Sequence, residues 1–174
     1  MNPLERTKAF IGGRSADRVP FHPILMRFAA RHAGVRYRDF CLSPAHKCNA
    51  NIRTAIDFGS DWVNTMSDPW AEAEAFGTRL FYPEDDLPKV ERYAIEDISD
   101  TERMSVLRPE DHTRMRQRVE EIRIYNREAA GMYFICGWVE GPLAAWCDMR
   151  DINMAMTDMY EYPEKVHMAL DIIT

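Results

Sequence analysis

Apolar positions along the chain follow two kinds of spacing. In some segments they recur every three or four residues, which is the period of an α-helix, and in others they form short continuous runs typical of a buried strand. A proline or a capping residue stands at the start of most helical segments. These segments begin at Asn2-Pro3, Ser43-Pro44, Pro109-Glu110, Ile152 and Pro163.

Three of the predicted helices have clear boundaries in the sequence. Asn2 with Glu5 three residues later predicts a capping box, and Gly12-Gly13 ends that helix. The second helix is expected from Ser43 to Phe58-Gly59, with its small and apolar residues on one side. The third is expected from Pro109 to Gly131, with acidic residues at the positive end of its dipole.

Three apolar runs predict strands, with the bounds Val19–Met26, Asp61–Met66 and Met132–Val139. Pro20 and Pro23 lack a backbone N–H, so the first run fits only strand ends or an irregular edge. The stretch between 72 and 99 is interrupted by glycine and proline. Within it, FGTRLFY predicts a short hairpin.

Strands and helices alternate three times, which predicts an α/β fold with a parallel sheet and crossover helices. Polar residues follow the expected strand ends, namely Arg27, Arg31, Asp68 and Asp148. Ligands of parallel α/β proteins bind at this edge of the sheet, so these side chains are candidates for one site. A parallel sheet of three strands leaves both edges unpaired. We therefore expect the sequence to be a fragment, or to be completed by strands from elsewhere.

Composition indicates a globular protein, with 46% hydrophobic and 29% charged residues. The formal net charge of −6 argues against nucleic acid or an anionic membrane surface as a partner. No apolar run reaches the ~18 residues of a membrane span, and the polar N-terminus is unlike a signal peptide. The four cysteines form no CxxC pair, which favours free thiols and a cytoplasmic location.

Structural roles compete with functional ones at the residues that follow the first two strands. Arg27 and Arg31 are four residues apart and can be solvated cations at the start of a helix, paired with nearby acids. Asp68 precedes Pro69 and can cap the next turn. Its position after a buried strand favours a functional role.

Other candidate residues have stronger structural interpretations. Asp148 is expected to be the N-cap of a helix that begins near Met149. His22 lies among apolar residues, where a core histidine is the commoner role, although the mouth of a barrel can expose it. His46 and Cys48 are two residues apart in a helical pattern, so they point to different sides and predict no metal site.

A series of motifs, in order along the chain, resembles the uroporphyrinogen decarboxylase superfamily. They are LERTKAFIGGRSADRVPF, MR-x-x-x-R, SD after the second strand, GWVEGPLAAW and MTDMYEYPEKVHMAL. The superfamily also holds cobamide-dependent methyltransferases, such as methylcobamide:coenzyme M methyltransferase. The resemblance covers nearly all of the chain. It implies one domain over 1–174 that forms the N-terminal part of a (β/α)₈ TIM barrel, with about three βα units.

For the decarboxylase branch, the resemblance implies an enzyme of porphyrin biosynthesis that acts on tetrapyrrole carboxylates. Arginines at the spacing of Arg27 and Arg31 bind the substrate carboxylates, and an aspartate matching Asp68 contacts the pyrrole N–H groups as the catalytic residue. His22 and Asp148 are further candidates for substrate binding. This chemistry needs no metal or organic cofactor. The Gln and Gly of the branch's arginine motif are absent, and GPLAAWCD lacks its tyrosine.

The methyltransferase branch gives a different expectation. There a zinc ion activates a thiol for methyl transfer from a corrinoid protein, and the resemblance puts the zinc ligands, one His and two Cys, outside this chain. Decarboxylases of the family are often dimers, so a homodimer is also open. A third hypothesis is a truncated chain without catalysis that only binds a partner.

Overall fold

The structure, a computed structural model, describes all residues from Met1 to Thr174. The chain packs as two compact units. The first unit comprises residues 1–67, 84–86 and 117–138, and the second comprises residues 68–83, 87–116 and 139–174.

Helices dominate the architecture, and short strands separate them. The α-helices are α1 (Pro3–Ile11), α2 (Met26–Ala33), α3 (Tyr37–Leu42), α4 (Pro44–Phe58), α5 (Ala71–Ala75), α6 (Thr113–Glu128), α7 (Pro142–Arg150), α8 (Ile152–Glu161) and α9 (Pro163–Ile173). The strands are β1 (Trp62–Asn64), β2 (Arg79–Phe81), β3 (Lys89–Arg92) and β4 (Phe134–Cys136). Two 3₁₀ helices span Ile98–Arg103 and Pro109–Asp111.

Strands β1 and β4 pair in parallel within the first unit, with Val63 opposite Ile135. This confirms the parallel pairing expected for the second and third predicted strands. Strands β2 and β3 pair antiparallel in the second unit, with Leu80 opposite Val90. The hairpin predicted around FGTRLFY is therefore present, and β3 is its second strand.

The first predicted strand, Val19–Met26, is wrong. Residues 19–25 form no strand, and Met26 already belongs to α2. Pro20 and Pro23 cannot donate to a ladder, which leaves too few N–H groups for regular pairing. The segment is instead held beside β1, where the Asp61 backbone N–H donates to the Phe21 carbonyl at 2.8 Å and the Phe21 N–H donates to the Asp61 carboxylate at 2.6 Å.

Local capping signals located the predicted helix boundaries well. Asn2 and Glu5 form the expected capping box on α1. The Ser43 side chain accepts from the His46 N–H at the start of α4, and Gly59 ends that helix with a φ of 69°. Helix α6 begins only at Thr113, because Pro109–Asp111 forms a separate 3₁₀ turn.

Asp148 is not the N-cap of a helix near Met149, as the sequence suggested. It lies inside α7, which starts directly after Gly141 with Pro142 at its first position. The capping aspartate is Asp151, whose side chain accepts from the Asn153 N–H at 2.9 Å and begins α8. Helices α7 and α8 are adjacent in the chain, and the helical pattern recognised in the sequence covered only α8.

Each unit has its own buried core. In the first unit, α4, β1 and α6 contribute Cys48, Ala55, Val63, Ile124 and Tyr125. In the second unit, helices α5, α7, α8 and α9 pack around the fully buried Trp146 and Met149. None of the helices has both the length and the apolar character that crossing a membrane requires.

Candidate functional site

Arg27 and Arg31 lie one turn apart on α2, as their spacing predicted. Both line a cleft of about 430 Å³ in the first unit, together with Arg36, Tyr37 and Asp85. Both arginine side chains are exposed. Three guanidinium groups on one cleft provide the bidentate donor geometry that carboxylates and phosphates prefer.

The arginines of this cleft differ in their partners. Arg27 donates from Nη1 to Asp86 Oδ1 at 3.1 Å and from Nη2 to the Asp85 carbonyl at 2.5 Å. Arg36 pairs with Asp39 through Nε at 2.9 Å. The Arg31 side chain makes no hydrogen bond or ion pair with the protein. Arg31 is therefore the cation of the cleft that is available to an added anion.

His22 lies against β1 in the first unit. Its ring stacks on Trp62 with centroids 4.5 Å apart, and its Nε2 lies 3.0 Å from Asn64 Nδ2. Because the amide nitrogen is the donor, Nε2 is the acceptor and the proton sits on Nδ1. Burial lowers the pKa of His22, so the ring is neutral at physiological pH. Its proposed part in substrate binding stays a prediction.

Asp68 lies at the start of the second unit and is fully buried. Its Oδ2 forms a short ion pair with Arg114 Nη2, and its Oδ1 accepts from the Trp70 N–H at 3.3 Å. The second contact is the turn cap that the sequence offered as a structural role. The ion pair with Arg114 could not be anticipated from spacing.

Arg114 holds a second carboxylate beside Asp68. Its Nε lies 3.2 Å from Glu74 Oε2, and the Tyr82 hydroxyl donates to that same oxygen at 2.8 Å. The guanidinium also sits over the Tyr82 ring, 5.6 Å from its centroid. Arg114 thus pairs with two carboxylates, one fully buried and one partly exposed.

Asp148 is half-buried in α7 of the second unit, and its pKa is raised to about 7. Burial is the largest cause, and the nearby carboxylates Glu140, Glu72 and Asp68 add to it. The structure thus brings two of the predicted site residues, Asp68 and Asp148, within electrostatic reach of each other. A carboxyl with this pKa can hold or release a proton near neutral pH.

A buried ion pair in the first unit was missed from the sequence. Lys47 on α4 donates from Nζ to Glu121 Oε1 at 2.7 Å and to Ser67 Oγ at 3.1 Å. Lys47 is 1% exposed and Glu121 is 0% exposed. The pair ties the loop after β1 to α4 and α6. Both residues stand in predicted helices, and nothing in the neighbouring sequence marks either charged side chain as buried.

The cysteines and histidines do not converge on a metal. His46 is exposed and Cys48 is buried, both in α4 as predicted. Burial raises the pKa of the Cys48 thiol to about 12. No three His, Cys, Asp or Glu side chains are grouped as metal ligands require. The residues of this chain therefore do not fit the zinc of the methyltransferase branch.

Comparison with known proteins identifies the fold class first. The chain has a TM-score of 0.84 with the solved structure of a methyltransferase from Methanosarcina mazei, at 18% identity, covering 99% of this chain and 52% of that one. The α/β prediction is thus confirmed. The chain corresponds to part of a TIM barrel, and its sheet is not closed.

The family follows from the sequence comparison. The family model described as uroporphyrinogen decarboxylase (URO-D) matches residues 2–174, so the chain belongs to that family. A curated uroporphyrinogen decarboxylase from Thioalkalivibrio sulfidiphilus is 23% identical over 177 residues, which cover 98% of this chain. The chain spans 48% of the length of that relative.

Proposed function

We propose that this chain supplies substrate-binding and charge-stabilising residues to a uroporphyrinogen decarboxylase-like enzyme that acts on tetrapyrrole carboxylates. Family membership supports the general chemistry. The arginine cleft of the first unit supports the substrate class, because a tetrapyrrole carries several carboxylates at its edge. Arg27 and Arg31 would bind those carboxylates.

The observation that carries the proposal is the state of Arg31. This arginine is exposed, lines the cleft and has no partner in the protein. Arg27 and Arg36, which line the same cleft, are paired with Asp86 and Asp39. Three arginines on one cleft, of which the Arg31 side chain is unpaired, favour an anionic ligand.

The acidic residues of the second unit would serve the decarboxylation step. Loss of CO₂ from a pyrrole acetate is easier once the ring is protonated, and the ring then carries positive charge. The carboxylates of Asp68 and Glu74, which Arg114 holds side by side, are suited to stabilise such a charge. Asp148, with a pKa of about 7, is suited to hold the proton that replaces the departing CO₂.

Binding of coproporphyrin, a porphyrin with four carboxylates, tests the proposal. We expect Arg31→Ala to weaken binding about ten-fold at low salt, because one charge-assisted hydrogen bond is lost. The measurement is quenching of porphyrin fluorescence on titration with the full chain. Arg53→Ala is the matched control, since Arg53 is an exposed arginine on α4. The substitution removes the same charge as Arg31→Ala.

Equal affinities of the Arg31→Ala variant and the unsubstituted chain would remove Arg31 from the binding site. An equal loss in the Arg53→Ala control would show that net charge alone drives binding. Either result would overturn the proposed role of the cleft.

Methyl transfer is the second candidate. Asp148 stands in the segment after Gly141-Pro142 where the decarboxylases carry a tyrosine, and the arginine motif lacks its Gln and Gly. Both departures favour a different ligand, and a methyltransferase shares the fold. In this case the zinc ligands are expected outside this chain, and a corrinoid protein is the expected partner. A chain that binds a partner without catalysis is the remaining alternative.

A further inference from the structure

Asp85, which lines the arginine cleft, is the middle one of three consecutive acidic residues, Glu84, Asp85 and Asp86, which we name the acidic turn. All three belong to the first unit with the arginines. Asp86 pairs with Arg27 at 3.1 Å, and Glu84 lies 3.6 Å from Arg36. The Asp85 carbonyl also accepts from Arg27. The acidic turn thus pairs with two of the three guanidinium groups of the cleft, those of Arg27 and Arg36.

Backbone contacts fix the acidic turn in this place. The Arg38 N–H donates to the Glu84 carbonyl at 3.0 Å. The Tyr37 N–H donates to Asp85 Oδ1 at 3.3 Å, and the Tyr37 side chain is fully buried. These contacts hold the backbone of the acidic turn beside the arginines.

The ion pair between Arg27 and Asp86 is weak enough to be exchanged. Both side chains are 51% exposed, and a solvent-exposed pair of this kind contributes little net stability. A ligand carboxylate of the same charge can take the place of Asp86. A ligand that already holds Arg31 by one carboxylate presents its next one at a high effective concentration.

We propose that the acidic turn is an internal competitor for the arginine cleft, which is displaced from Arg27 when a ligand with several carboxylates binds. This inference rests on the proposed function, because it assumes that the cleft binds carboxylates. Such competition would make the affinity of the cleft depend on the number of carboxylates that a ligand carries. An anion displaces the acidic turn only if it binds Arg27 more strongly than Asp86 does, so a ligand with a single carboxylate is expected to bind weakly.

Removal of one competing charge tests the proposal. In the full chain, Asp86→Asn is expected to tighten coproporphyrin binding about three-fold, in the range of one exposed ion pair. The gain in affinity should vanish when Arg27→Ala is combined with Asp86→Asn, because Arg27 is then no longer present for Asp86 or the ligand to bind. Asp111→Asn is the control, since Asp111 is an exposed acid outside the cleft and the change in net charge is identical.

A second measurement needs no ligand. Phenylglyoxal modifies accessible arginines, and peptide mass spectrometry reports the rate at each residue. We expect Arg31 to react faster than Arg27 in the unsubstituted chain. Asp86→Asn should raise the rate at Arg27 about three-fold and leave the rate at Arg31 unchanged.

The two measurements separate failure of the inference from failure of the proposed function. If coproporphyrin binds no variant, the proposed function fails, and a faster reaction of Arg27 in Asp86→Asn still shows that the acidic turn covers that arginine. If Arg27 reacts at the same rate in both chains, or if Asp86→Asn binds coproporphyrin no more tightly than Asp111→Asn, the acidic turn does not compete.

Discussion

At the scale of single residues, burial determines which charged side chains have a shifted pKa. Asp148 and Asp171 are both aspartates on helices of the second unit, but only Asp148 is partly buried among other carboxylates. The pKa of Asp148 is therefore raised to about 7, chiefly by burial. Its sequence neighbours give no sign of this, because Glu72 and Glu140 reach it only in the folded chain.

Asp148 gives a prediction for the pH dependence of stability. Its folded-state pKa lies above the ordinary value of 3.8, so the folded chain binds this proton more tightly than the unfolded chain between about pH 4 and pH 7. The protonated Asp148 carboxyl therefore stabilises the folded chain at low pH, and this stabilisation is lost as pH rises through about 7. Asp148→Asn should raise the free energy of unfolding at pH 8 by about 1–3 kcal/mol relative to pH 5.

Urea unfolding at pH 5 and pH 8 measures this difference. Asp171→Asn, which removes the carboxylate of an exposed aspartate on α9, is the control. A pH dependence that is the same with and without the Asp148 carboxyl would show that this group titrates normally.

The sequence identified part of the candidate site at this scale. Arg27 and Arg31 could be placed together because helical spacing is a local property. Arg114, Glu74 and Tyr82 were missed, since Arg114 is one of many arginines in α6 and nothing near it in sequence marks it as buried. The acidic turn was also missed, because its contacts with Arg27 join residues nearly sixty positions apart.

At the scale of elements, local chemistry sets where helices begin and end. Helix α4 has a serine cap, a proline in its first turn and a glycine at its end, and all three were recognised in the sequence. The strands were harder to define. Three-residue strands such as β1 and β4 carry little periodicity, and whether they form depends on the partner beside them.

Gly59 provides a test of the α4 terminus. Its φ of 69° lies in the left-handed region, and a Cβ there would meet nothing within 4 Å. Gly59→Ala should therefore lower the free energy of unfolding by about 1 kcal/mol through backbone strain alone. Gly137→Ala is the matched control in the same unit, because its φ is ordinary and its Cβ would make only normal contact.

Chemical denaturation followed by circular dichroism compares the two alanine variants. We expect the control to stay within about 0.5 kcal/mol of the unsubstituted chain. If Gly59→Ala were as stable as the control, the left-handed conformation at the end of α4 would not be needed.

At the scale of the whole molecule, the motif LERTKAFIGGRSADRVPF serves structure within the first unit. Its residues Arg6 and Arg18 both donate to the fully buried Asp61, at 2.5 Å and 2.6 Å. The Phe21 N–H donates to the same carboxylate at 2.6 Å, and Asp17 accepts from Arg6. This network ties α1 and the segment after it to the start of β1.

Asp61→Asn should lower the free energy of unfolding by about 3 kcal/mol, because it leaves two arginines without their shared buried carboxylate. Asp57→Asn is the control, since Asp57 is 41% exposed and pairs only with His32 and Arg53. We expect that control to lose less than about 1 kcal/mol. Urea unfolding measures both, and equal losses would show that the network adds nothing beyond an ordinary surface pair.

The sequence by itself determined the α/β class, the helix boundaries with capping signals and the family, because these depend on local periods and on motifs in order. Tertiary structure decided which charged residues became buried and paired, as for Asp68 with Arg114 and Lys47 with Glu121. It also decided which strands pair, as β1 does with β4. The physical reason is that burial and strand pairing depend on distant parts of the chain, whose approach no local pattern encodes.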